Sequence, residues 1–209
     1  MGRESPTLTK NNWIGKLKKL IKNIVNAVFT LTLFPLILIY FVFTLFTSKD
    51  KAFSAFSQFL SLFPGIFGSY LRKNFFAFAM RHCSRDTFIG FNTIFSQQGT
   101  QIGEGVYIGP QSNIGLCQIE KDALICSGVH ILSGKNQHNF DELDKPIRDQ
   151  GGSFESVTIG ENSWVGNASI VMANVGKDCI VGAGSVVTKD LPDRVIAVGN
   201  PAKVVKTRE

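Results

Sequence analysis

The stretch Ile102–Ile131, IGEGVYIGPQSNIGLCQIEKDALICSGVHI, sets an isoleucine at positions 102, 108, 114, 119, 125 and 131, five or six residues apart. Ile89 precedes the series, and after an interruption it resumes at Ile159, Val165 and Val171, then after a four-residue step at Val175, Val181 and Val187. A six-residue period fits neither the 3.6-residue helix nor the two-residue alternation of a simple strand. It fits one flat side of a three-sided parallel β-coil, in which every anchor points inward. Three such sides make a turn of about 18 residues, and Gly or Asn at the corners supplies the positive φ where the chain bends.

Outward from this repeat the chain changes character near residue 86. The net charge is +5 through Lys22, +4 from Asn23 to Asp86 and −3 from Thr87 onward, so all the positive excess is N-terminal. Phe is concentrated in the first part and Gly in the second. The 44% hydrophobic content and only 18% charged residues exclude a disordered chain. Four Cys in 209 residues without C-x-x-C spacing exclude a disulfide scaffold and are read as reduced, mostly buried thiols. The expected organisation is a helical, membrane-associated region over 1–86 and a β-coil domain over 87–209.

Trp13, Ile14, Leu17, Leu20, Ile21, Ile24, Val25 and Val28 form the stripe of an amphipathic helix whose other positions include Lys16, Lys18, Lys19 and Lys22. A basic amphipathic helix of this kind suits the headgroup region of an anionic leaflet. It runs into an uncharged stretch, 23–48, longer than the roughly 20 residues that cross a bilayer. No small-residue cleavage site follows, so this stretch is not read as a cleaved signal peptide. Pro35 at its middle and basic flanks on both sides favour a re-entrant hairpin broken at Pro35 over a Pro-kinked span. Two Phe-rich helices are expected next, one ended by Pro64-Gly65 and one carrying Arg72, Lys73, Arg81 and Arg85 toward lipid phosphates. The alternative is that these helices pack on the coil domain or form a trimer collar.

The segments IGEGVYIGPQSNIG, IGENSWVGNASIV and VGAGSVVTKDLPDRVIAVGNPAKVVK resemble the hexapeptide-repeat acyltransferases, among them the galactoside, serine and streptogramin acetyltransferases. The resemblance covers about residues 87–206. It implies a left-handed parallel β-helix, assembled as a homotrimer, with acetyl-CoA in the groove between neighbouring subunits. The same coil also carries nucleotidyltransferase appendages, carbonic anhydrases and proteins without known chemistry, so the fold does not by itself name an activity.

The inserted loop 132–157 is polar, rich in Gly and Asp, and too long for a corner. It holds His138, and the resemblance places the catalytic His in such a loop. A neutral imidazole can take the proton of an acceptor hydroxyl as it attacks a thioester. Asp141 and Glu142 are candidates to orient it or are plain solvated charges. His130, one residue before an anchor, is expected to face outward, and His82 to lie on the membrane-side helix. Three scattered His do not make a carbonic-anhydrase-like metal site, and no metal is expected.

Carried over residue by residue, the resemblance puts Trp164 and Asn167 along the pantetheine arm, Ala183 and Thr188 against CoA, and Lys206 near its phosphates. Ala183 also reads as ordinary coil packing. The short VMAN turn after Val171 and the hydrophobic N-terminus depart from the soluble members. The resulting expectation is an acetyl-CoA-dependent O-acetyltransferase of polysaccharide biosynthesis, bound to the cytoplasmic membrane with its coil on the cytosolic face. Its acceptor is a glycan or lipid-linked sugar, and no nucleic-acid partner is expected. The alternatives are an N-acetyltransferase acting on an amino sugar and a non-catalytic trimeric membrane scaffold.

Overall fold

The computed structural model describes residues 6–209, and side chains from Trp13 onward except that of residue 14; the side chains of Lys10 and Ile14 lie outside the described residues. Three helices lead: α1 (Pro6–Phe43), α2 (Lys49–Ser61) and α3 (Gly65–Ala79). The rest of the chain winds into a three-sided coil of short strands. Side A stacks β1 (His82–Cys83), β4 (Gln101–Ile102), β7 (Cys117–Ile119) and β10 (Val157–Ile159), continued by bridges at Val175 and Leu191. Side B stacks β2 (Phe88–Ile89), β5 (Tyr107–Ile108), β8 (Leu124–Ile125), β11 (Trp164–Val165), β13 (Ile180–Val181) and β15 (Val195–Val198), and ends in the antiparallel β16 (Lys203–Thr207). Side C stacks β3 (Ile94–Phe95), β6 (Asn113–Ile114), β9 (His130–Ile131), β12 (Ile170–Val171) and β14 (Val186–Val187).

All thirteen anchors read from the sequence point into the coil, and none is more than 2% exposed. Phe95 fills the position six residues after Ile89 that an aliphatic series leaves empty, and Cys83 fills the one six residues before it. Strand pairing therefore starts at His82–Cys83, in register with Gln101–Ile102. His82 lies exposed on β1, and the expectation that it belongs to a membrane-side helix is corrected. Two of the three corners take positive φ, one at Asn92, Gln111, Gly128, Ala168 and Gly184. At these corners after the first rung the N–H meets a carbonyl of the preceding rung, as Ala168 meets Ser127 at 3.0 Å.

The first rung has no preceding rung, and α2 and α3 supply what it lacks. Ile89 N–H donates to Ser69 Oγ, Phe95 N–H to Ser57 Oγ, Asn92 N–H to the Ser61 carbonyl and Gln98 N–H to Asp50 Oδ1. Arg72, with no exposed surface, donates from Nε and Nη2 to the Ile89 carbonyl at 3.1 and 2.9 Å. Its Nη1 donates to the carbonyls of Leu60 and Phe63 at 3.0 and 2.8 Å, at the negative C-terminal end of α2. Gly68 permits this approach, since a Cβ there would press into the Phe63 carbonyl. Arg72 is therefore a structural clamp, which corrects its assignment to lipid phosphate. Lys73 is also buried, its ammonium 3.8 Å from the centroid of the Tyr70 ring, and burial followed by the neighbouring Lys22 lowers its pKa to about 8.

α1 runs unbroken through Pro35, so the hairpin expected there is absent. Proline removes one helical N–H and costs about 3 kcal/mol in a helix interior. Packing on both sides of Pro35 offsets this, because Leu33, Ile37 and Tyr40 are buried against the helical layer. Tyr40 packs edge-on against Phe56 and Phe75, and its hydroxyl donates to the Ala79 carbonyl at 3.4 Å. Nearer the N-terminus, Asn74 joins Asn26 and Thr30 by hydrogen bonds, and Lys22 pairs with Asp86 of the coil. From Lys22 to Tyr40, about 27 Å of helix is held against the rest of the chain. The outward face keeps the apolar stripe, with Leu20, Ile21, Ile24, Val28, Leu31 and Phe34 all exposed.

Replacing Arg72 by Met leaves the Ile89 and Phe63 carbonyls without donors and removes one of those on Leu60. The expected loss is about 3–5 kcal/mol, or roughly 10 °C in the thermal midpoint for a chain of this size. An unchanged midpoint would remove the clamp from the account.

Candidate active site

The inserted loop leaves side C after β9, where Leu132 N–H still pairs with the Val171 carbonyl at 2.9 Å, and rejoins the coil in β10. It is an ordered excursion. Its two arms pair on either side of His138, Ser153 N–H with the Asn136 carbonyl at 2.7 Å and Asn139 N–H with the Gly151 carbonyl at 3.0 Å. The Gln150 amide ties the tip by donating to the carbonyls of Glu142 and Lys145, both at 2.7 Å, and accepting from Glu142 N–H at 3.0 Å. Gly152 passes so close to the backbone of Gln137 and His138 that a Cβ would collide with both. These contacts fix the backbone of His138 and leave its imidazole exposed. Among the described residues neither Asp141 nor Glu142 hydrogen-bonds to it, and Glu142 lies 3.6 Å from Lys145.

At the foot of the loop a cavity of about 110 Å³ is lined by Ser96, Asn113, His130, Ser133 and Gln137. His130 faces outward as the repeat position requires. Ser133 Oγ accepts from Leu116 N–H at 2.8 Å, which holds the loop root to the coil. Cys83, Cys117 and Cys179 are buried and Cys126 half-buried, all free. Burial pushes the Cys83 thiol up to about 12 and raises that of Cys117 as well, so neither is a nucleophile at neutral pH.

Trp164 stands on the outer face of side B, 45% exposed, its indole N–H donating to Cys126 Sγ at 3.0 Å. Asn167 and Ala183 occupy the corner between sides B and C on successive rungs, both exposed, with Gly184 N–H on the Asn167 carbonyl at 2.8 Å. Lys206 is exposed on β16 of the same side, opposite Ile196. Thr188 is half-buried at the other edge of side C, where the His138 loop also departs. β12 separates their strands, so the two roots lie about 10 Å apart along the coil axis at 4.8 Å per rung. Within one chain, side C thus separates Trp164, Asn167 and Ala183 from the loop. Sequence reasoning missed the structural parts played by Gln150 and Gly152; the Gly151-Gly152 pair was the only local signal of the tight return.

Known proteins share this architecture. Residues 156–189 match the family model described as the hexapeptide repeat of succinyl-transferase. The galactoside O-acetyltransferase of Lactococcus lactis is 36% identical over 121 residues, which cover 54% of this chain and 56% of that protein. A probable acetyltransferase of Mycobacterium tuberculosis is 34% identical over 124 residues, 56% of this chain and 41% of that protein. Residues 156–189 thus carry the hexapeptide repeat, and over about half of its length the chain is similar to acetyltransferases. Its coil is the left-handed parallel β-helix, as in the crystal structure of a maltose O-acetyltransferase from Clostridium difficile, with TM-score 0.57 and 20% identity over 78% of this chain and 90% of that one. A galactoside acetyltransferase in complex with coenzyme A gives the same TM-score and identity, covering 78% and 84%. The chain spans about half the length of the curated relatives it matches.

Gly152→Ala forces the returning arm away from Gln137 and His138. The expected result is faster amide exchange across the loop with the thermal midpoint of the coil unchanged. Equal exchange in the variant would show that the close approach does not set the loop.

Proposed function

We propose that this chain is a membrane-associated O-acyltransferase that moves the acetyl group of acetyl-CoA to a hydroxyl of a glycan or lipid-linked sugar. The observation that carries this reading is an ordered loop that holds the backbone of His138 from both sides while leaving the imidazole open. In the proposed step the imidazole takes the hydroxyl proton as the oxygen attacks the thioester carbonyl. The new C–O bond forms, the C–S bond breaks, and the proton passes from the imidazolium to the departing CoA thiolate. Trp164, Asn167, Ala183, Thr188 and Lys206 are the proposed contacts of the donor, with Lys206 near its phosphates.

A homotrimer is part of the proposal. Phe88, Tyr107, Leu124 and Trp164 stand in register on the outside of side B, an apolar ladder in which the Phe88 and Tyr107 rings stack at 5.0 Å. Burying such a ladder against a neighbour is favourable. Phe140, Leu143, Ile147 and Phe154 on the loop are exposed in the same way and support a contact across subunits. A donor groove between subunits would then bring the His138 loop to residues of side B.

Membrane association is supported by the outward stripe of α1. Gly15–Phe43 is long and apolar enough to cross a bilayer, but its docking along α3 supports a helix lying in the interface. Acetyl-CoA is a cytosolic donor, so the coil is placed on the cytosolic face.

His138→Ala should lower acetyl transfer by 10²–10⁴-fold while acetyl-CoA binding, read by calorimetry, changes little. Retained turnover would dismiss His138 as the base, and absence of acetyl-CoA binding by the wild-type protein would dismiss the donor.

A further inference from the structure

Two cavities, of about 540 and 480 Å³, adjoin where α1 crosses the first coil corner, and they share Asn23, Asn26 and Arg85. Together they form one groove with two chemically different ends. One end holds Lys18, Lys19, Lys22 and Arg85, with Asp86 and Glu104 as the acids. Asp86 is engaged by Lys22, which leaves Lys18, Lys19 and Arg85 as cations without a carboxylate partner among the described residues. The Arg85 guanidinium lies over the Phe78 ring, 5.3 Å from its centroid, which fixes its plane while leaving its N–H edge free. The other end is lined by Ala27, Leu31 and Phe34 and opens onto the exposed apolar stripe of α1.

Asn26 sits at the seam. Most of the residue is buried, its Oδ1 accepts from Asn74 at 3.1 Å, and its Nδ2 hydrogen-bonds no described residue and keeps access to the groove. Unpaired cations beside an amide donor favour an acceptor-rich anion, and the apolar end favours a hydrocarbon chain. From Lys18 to Phe34 the groove follows about 24 Å of helix, longer than a headgroup alone requires.

We propose that this groove binds a phosphate-linked lipid, its phosphate between Lys18, Lys19 and Arg85 and its chain along Leu31 and Phe34. The proposal rests on the membrane reading above and deepens it by naming where a lipid-linked acceptor is held. Arg85 matters most, because its guanidinium meets two phosphate oxygens at once. The chain end then merges with the surface that α1 presents to the bilayer.

The test titrates hexadecyl phosphate into the full chain in neutral detergent, beside hexadecanol and inorganic phosphate, with acetyl-CoA binding measured on the same samples. Hexadecyl phosphate should bind saturably, at least tenfold more tightly than either control. Arg85→Gln and Lys19→Gln should each weaken it several-fold with the fold and acetyl-CoA binding intact. Equal binding of hexadecanol would mean apolar partitioning only, equal binding of inorganic phosphate a simple anion site, and undiminished binding in both variants a different location; each overturns the proposal. Loss of acetyl-CoA binding in the wild-type chain strikes the acyltransferase reading instead and leaves the groove standing or falling on the lipid arm.

Discussion

A parallel β-helix begins with a turn whose backbone groups have no earlier rung to meet, and a dry, unpaired edge of this kind is both costly and prone to join other chains. In this protein the cost is removed by helices. Ser57 and Ser69 accept two of the orphan N–H groups, Asp50 and the Ser61 carbonyl accept two more, and Arg72 fills the vacant acceptor at Ile89. Because Arg72 also holds the Leu60 and Phe63 carbonyls where α2 ends, the helical layer and the first rung are joined by the same guanidinium. The helices therefore share a core with the solenoid through the edge-on contact of Phe76 with Phe95.

The same arrangement gives the helical layer two different faces. The inner face of the layer is spent on the coil, so what α1 offers outward is the residual stripe with lysines at one end. α1 is held to the rest of the chain at Lys22, Asn26, Thr30 and Tyr40. In the proposed reading it lies at the membrane boundary, with the coil in the aqueous phase and the His138 loop on the third rung. In that reading the distance from the membrane to His138 is set by the rung spacing, about 4.8 Å per turn.

The coil was legible in the sequence because its anchors obey a strict geometric period, and each one lands in the core. Phe95 escaped a pattern framed in aliphatic residues, although its six-residue offset from Ile89 was there to be read. The helices were harder. Arg72 beside Phe-rich positions looks the same in sequence whether it faces lipid phosphate or backbone carbonyls, and only the open rung beneath it decides. Pro35 carries a general tendency to break helices that local packing of Leu33 and Ile37 overrides, which no local pattern reveals. For the site, His138 stood out through its unusual loop, whereas Gln150 and Gly152 act through backbone contacts that composition does not encode.

The central claim is that α2 and α3 complete the first rung, and backbone amide exchange on the full chain tests it most directly. The account predicts that the amides of Ile89, Asn92, Phe95 and Gln98, all at an outer rung, exchange as slowly as those of Tyr107, Asn113 and Leu124 inside the coil. Rapid exchange at these four, with slow exchange at the inner three, would contradict it and leave the helices as an appendage resting on an open edge.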